Sequence, residues 1–243
     1  MSRARRRRIG AALVATAAVV LLAGCVGQPH SGVRGSSSAP DRNAPDVQHR
    51  GPAPTAVHLE DGVEVWDLTG PPSVEAFGVD TDGAATLRNA VAAYSSAEDR
   101  PARFVLPGDR VVDLSVGEVI VTVDDHPDGL TDSSGDVITP AGRSFVLQVE
   151  GSKTSGAEAG VAAYRDALGA AGLPTGGADE LQEAVDSVPS IDPTETSERL
   201  GASTDVPVPE GTSAALSSRF RPSDTTLTFR LQFFVSWAPV PIP

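Results

Sequence analysis

TTLTFRLQFFVSW, residues 225–237, decides the fold class of this chain. Leu227, Phe229, Leu231 and Phe233 fall on every second position, the period of a strand with one greasy face. Residues 213–221 form a second such run, and Pro222-Ser223-Asp224 between the two is turn chemistry, so an antiparallel hairpin is expected. Working outward, Val63-Glu64-Val65-Trp66-Asp67-Leu68 alternates apolar and acidic side chains and stops at Gly70-Pro71-Pro72. Residues 103–106, 110–114 and 118–124 are further β-branched runs, broken by Pro107-Gly108 and Gly117. The acidic stretch 124–136 then leads into strands expected at 137–139 and 144–150.

Helical spacing is found in two places. Leu87, Val91 and Tyr94 recur at four and three positions with Asp82 as a cap; Val161, Tyr164 and Leu168 repeat that spacing within 160–171, closed by Gly172 and Pro174. A third helix is expected over 178–188. Val-Ala-Ala-Tyr occurs at both 91–94 and 161–164, the one hint of an internal duplication. The expected class is α+β: mainly antiparallel β, sandwich-like, with two or three helices.

At the other end of the chain Arg3, Arg5, Arg6, Arg7 and Arg8 precede 15 almost wholly apolar residues, 9–23, which close on Leu22-Ala23-Gly24-Cys25. Crossing a bilayer takes about 20 apolar residues, so this run has the length of a signal-peptide core and not of a membrane span. The tetrapeptide resembles the lipobox of bacterial lipoproteins. That resemblance implies cleavage between Gly24 and Cys25 and acylation, with palmitate among the chains, of the only cysteine in the sequence. Two acyl chains are what lasting attachment needs. Lys153 is the single lysine among 19 basic residues, a bias resembling that of high-GC actinobacterial proteins.

The organisation that follows is a lipoprotein signal peptide at 1–24, a disordered tether at 25–56 and a folded extracytoplasmic domain at 57–243, either one unit or two small subdomains. The tether is rich in Pro, Gly, Ser and Asp and cannot bury enough apolar surface to offset chain entropy. The expected location is the outer face of the cytoplasmic membrane. The whole chain carries −13; removing the five leader arginines leaves about −18. Such a surface repels polyanions, which argues against a nucleic-acid partner.

Residues 116–151 start with Val-Gly-Glu-Val, pass through an acidic loop and reach Pro140-Ala141-Gly142-Arg143 before an apolar strand. This pattern resembles the immunoglobulin-like sandwich domains of Gram-positive lipoproteins and implies a fold and an envelope setting without any functional residue.

Groups able to carry chemistry are few. Asp80-Thr81-Asp82-Gly83 resembles the nucleophile loop of haloacid-dehalogenase-like phosphatases, which implies one carboxylate attacking phosphorus, the other protonating the leaving group, and Lys153 neutralising charge. The threonine of that pattern is displaced to Thr86. Asp124, Asp125, Asp128, Asp132 and Asp136 form an oxygen-rich loop suited to calcium, but Gly135 stands where an EF-hand places its bidentate glutamate. Gly151-Ser152-Lys153-Thr154 lacks the first glycine of a phosphate loop, and Lys153-Thr154 has no Ser-x-x-Lys to accompany it. Of four histidines, His58 and His126 lie in the folded part, too few for a histidine zinc site. Trp66, Trp237, Tyr94 and Tyr164 are candidates to line a groove for sugar or peptide.

No catalytic residue, cofactor or metal ligand is assigned, and Cys25 is the one named site, for lipidation. The expected function is a non-catalytic binding or interaction module at the cell envelope, with an envelope protein or wall polymer as partner. The alternatives are a metal-assisted envelope phosphatase or hydrolase, and a small solute-binding lipoprotein.

Overall fold

Two long strands set the architecture, each 17 residues and joined by the tight turn at Pro107-Gly108-Asp109. In chain order the elements of the computed structural model are β1 (Val47–Arg50), β2 (Val57–Glu60), β3 (Val63–Asp67), β4 (Ala90–Leu106), β5 (Arg110–His126), β6 (Leu130–Thr131), β7 (Val137–Thr139), β8 (Gly142–Ser155), α1 (Ala157–Ala170), α2 (Gly176–Asp186), β9 (Gly201–Val206), β10 (Thr212–Arg221) and β11 (Thr228–Trp237). The structure describes residues 47–187, 201–221 and 228–243. Nine strands form one open sheet in the order β2-β3-β4-β5-β8-β11-β10-β9, with β1 paired to β4 off this path. Every pairing is antiparallel except β3 with β4. β5 runs along one side of β4, so β1 and β3 share the other: β1 against residues 93–96, β3 against 102–105.

On β5 burial follows the period of two, with one break. Val112, Leu114 and Val116 face the core, then Val119, Val121 and Val123 do, so the parity changes between 116 and 119. The register with β8 shifts at the same place, between Val116 and Glu118. Gly117 occupies the break, where a Cβ would stand 3.0 Å from an Asp99 carboxylate oxygen. An extra residue at a bulge restores inward alternation for the valines that follow.

The sheet curls over its own core. Phe104 on β4 and Phe233 on β11 are three strand steps apart, ~14 Å in a flat sheet at ~4.8 Å per step, yet their ring centroids lie 5.3 Å apart. Phe77, from the loop after β3, bridges the same interior by meeting Phe145 at 5.9 Å and Trp237 at 5.3 Å. α1 closes part of this core with Val161, Tyr164 and Leu168. It can come close because Gly160 lies against Phe229, where an added Cβ would be 2.6 Å from the ring. Gly172, at φ +65°, ends the helix, and Leu173 N–H donates back to Leu168 O at 2.8 Å. α2 lies on α1 and β9 and buries Ala178 and Leu181.

Several expectations need correction. The segment carrying Leu87, Val91 and Tyr94 is not a helix: Leu87 is in a loop, and β4 begins at Ala90 with Ala92 and Tyr94 inward and Val91 exposed. Val-Ala-Ala-Tyr is therefore strand at 91–94 and helix at 161–164, which removes the case for duplication. The greasy face of the last strand is interrupted as well. A register shift between Arg230 and Gln232 leaves Leu231 half-buried while Phe229 and Phe233 stay inside; Leu227 and the 222–224 turn lie outside the described residues. Among the described residues the first pairing is that of Val47–Arg50 with β4, inside the stretch expected as tether, because backbone pairing needs no apolar composition. The described residues all fall within one compact unit.

Candidate functional site

β5 and β8 are joined by an arm, residues 127–141, whose β6 and β7 pair only with each other. Two-stranded ribbons gain little from burial in water. This one is pre-shaped by Asp132: its Oδ1 accepts from Ser134 N–H at 2.8 Å and Asp136 N–H at 2.9 Å, and its own N–H donates to Asp136 O. Those backbone donors, Asp136 first, lower the Asp132 pKa. Leu130 pairs with Thr139 and Thr131 with Val137, so Ile138 is an extra residue with no partner opposite it. Such a bulge re-aims side chains. Val137 and Ile138 are both 66% exposed and Leu130 44%. These are three of the exposed large apolar side chains among the described residues, all on an element that pairs with no other strand.

The root of the arm is rigid. Asp125 and Arg143 sit directly opposite each other on β5 and β8, both buried, and the guanidinium donates to the carboxylate through Nε at 2.6 Å and Nη2 at 2.9 Å. Leu87 N–H donates to the same carboxylate at 2.8 Å. The Arg143 hydrogen bonds come first among the causes that lower the Asp125 pKa and outweigh its burial. Arg143 also exchanges backbone hydrogen bonds with Val240, which ties the C-terminal segment to the base of the arm. Gly129 packs so tightly that a Cβ would meet Thr139 O at 2.8 Å.

A second polar region lies where the register shifts of β4, β5 and β11 fall at one level of the sheet. Ser95, Asp99, Glu118, Glu150, Lys153 and Arg230 line a depression of about 420 Å³ there. Glu150 accepts from Arg230, Gln148 and Gln232. Burial alone would raise its pKa, but these three donors prevail and lower it. Nearby, Arg100 donates to both Glu64 oxygens, at 2.6 and 3.3 Å, and Trp66 Nε1–H donates to one of them at 2.6 Å. Among the described residues, the buried charged side chains Glu64, Arg100, Asp125, Arg143 and Glu150 are thus all ion-paired.

These pairs set an acid limit. Asp125 and Glu150 have folded-state pKa values below their ordinary 3.8 and 4.5, so each adds stability that is complete above its ordinary value and is lost as pH falls through the folded one. The urea midpoint is expected to be flat from pH 7 to about 5 and to fall steadily below it. Asp125→Asn and Glu150→Gln should each reduce that slope, and an unchanged slope in both variants would refute the assignment.

The residues singled out from the sequence are dispersed. Asp80 and Asp82 share a surface turn, where Asp82 has φ +48° and its N–H donates to Asp80 Oδ1 at 3.0 Å. Lys153 lines the polar depression instead, so the phosphatase constellation does not assemble. The acidic loop does not converge: Asp125 binds Arg143, Asp132 holds the arm's turn, and no group of three or more His, Cys, Asp or Glu among the described residues is placed to hold a metal ion. Trp66, Tyr94, Tyr164 and Trp237 are core side chains and line no groove. Tyr94 O–H donates to Phe77 O, and Tyr164 O–H to Leu216 O. His58 is exposed beside Glu60. Cys25 lies outside the described residues, and among those described no helix is long and apolar enough to cross a membrane. What sequence reasoning missed is the exposure of the apolar side chains on the arm's two strands; the run Val137-Ile138 was its only signal.

No protein-family model matches this chain, no curated protein is detectably similar to it, and no solved structure matches its fold.

Proposed function

We propose that this chain is an exported lipoprotein, held at the outer face of the cytoplasmic membrane through acylated Cys25, whose folded domain is a non-catalytic interaction module for an envelope protein. The observation that carries the module reading is the β6–β7 arm, which exposes Leu130, Val137 and Ile138 on a rigid root. Pairing of the buried charges with one another supports it, since a catalytic carboxylate or cation has to meet substrate. The anchor rests on the arginine cluster, the apolar run and Leu22-Ala23-Gly24-Cys25. The sandwich-like reading of the fold belongs here too: contact between Phe104 and Phe233 supports two halves of one curled sheet facing each other across the core.

Metabolic labelling with a palmitate analogue tests the anchor. The wild-type chain is expected to take the label and sediment with membranes, and Cys25→Ala to lose the label and appear in the soluble fraction. Equal labelling of both would overturn the lipid attachment.

A further inference from the structure

Resting on the module reading, we infer that the arm's partner is a protein with an apolar cleft bordered by Lys and Arg side chains. The arm, residues 127–141, contains Asp128, Asp132 and Asp136 and no basic residue. One oxygen of Asp132 holds the turn, while Asp128 and Asp136 are exposed and flank the apolar residues in sequence, two residues before Leu130 and directly before Val137. A surface that covers Leu130, Val137 and Ile138 must therefore also meet two free carboxylates, and cations on its rim satisfy both demands.

Charge sets the other occupants aside. An anionic lipid surface attracts basic segments and repels this one, and seating Val137 and Ile138 in a bilayer would draw Asp136 toward hydrocarbon. A second copy of a chain carrying −13 presents the wrong sign of field. The Asp125–Arg143 root and the Asp132 turn fix the arm before it binds, so little ordering entropy remains to be lost on docking.

The test uses the full lipidated chain in intact membranes, with a photo-crosslinking side chain at Thr131 in the arm and, separately, at Leu59 on the exposed edge strand β2. Adducts are identified by peptide mass spectrometry. From Thr131 the expected product is one protein whose crosslinked peptide joins apolar residues to Lys or Arg. Its yield should fall about 100-fold in Val137→Ser/Ile138→Ser, as for loss of interface anchors, and about tenfold in Asp128→Asn/Asp136→Asn, as for removal of rim charges. The second variant leaves the apolar side chains in place and guards against misfolding of the first. An adduct with lipid, with a second copy, with a peptide lacking basic residues, or no adduct from Thr131 overturns the inference. If Leu59 alone gives a protein adduct, the module reading stands and the arm is not its docking element. If neither position gives one while the palmitate label persists, the module reading falls as well.

Discussion

Asp125→Ala is expected to destabilise the domain by about 3–5 kcal/mol, because it leaves the buried Arg143 guanidinium without its counter-charge. The same change strips Leu87 N–H of its acceptor. Most single substitutions cost ~0.5–3 kcal/mol, so this one should stand out in a urea melt as a shifted midpoint with an unchanged slope. Replacing both partners, Asp125→Leu with Arg143→Met, removes the buried charge altogether and should recover much of the loss. If the double variant is as unstable as Asp125→Ala, the cost lies in the loop hydrogen bond and not in the stranded charge.

Phe233→Ala should cost about 3–5 kcal/mol, the range for emptying a fully buried phenylalanine site. Its particular use is to test the curl of the sheet. Phe104 and Phe233 touch only because the strands between them bend inward. A double-mutant cycle with Phe104→Ala should then show a coupling of about 0.5–1.5 kcal/mol, as expected of an aromatic pair. Additive losses would mean that the two rings do not meet in solution.

The strongly alternating runs were legible from sequence: β3, the ends of the β4–β5 hairpin and the β10–β11 pair all lie where period-two patterning places them. Parity breaks were not. Gly117 reads from sequence as a break between two strands, whereas β5 runs straight through it, and Leu231 reads as an ordinary position within an alternating run; only the pairing partner reveals the extra residue. The segment 82–94 misled because Leu87, Val91 and Tyr94 happen to stand four and three apart, although Leu87 precedes the strand and Val91 faces solvent. Four letters cannot settle the matter alone. Val161-Ala162-Ala163-Tyr164 is helical because Gly160 admits the segment against Phe229, whereas Val91-Ala92-Ala93-Tyr94 has β5 and β1 on either side. The candidate site was the least readable part. Val137-Ile138-Thr139 looks the same whether its side chains are covered or bare, so its strand character was predictable and its exposure was not.

The split edge of β4 has a mechanical consequence. β1 is the first paired strand among the described residues and is held to β4 through only four residue pairs, while β3 grips the same strand further along and β5 pairs with it on both sides of the 96–99 irregularity. A pull entering from the N-terminal side is therefore borne first by those four pairs. Peeling them would pay out slack and relieve the load before it reached the aromatic interior.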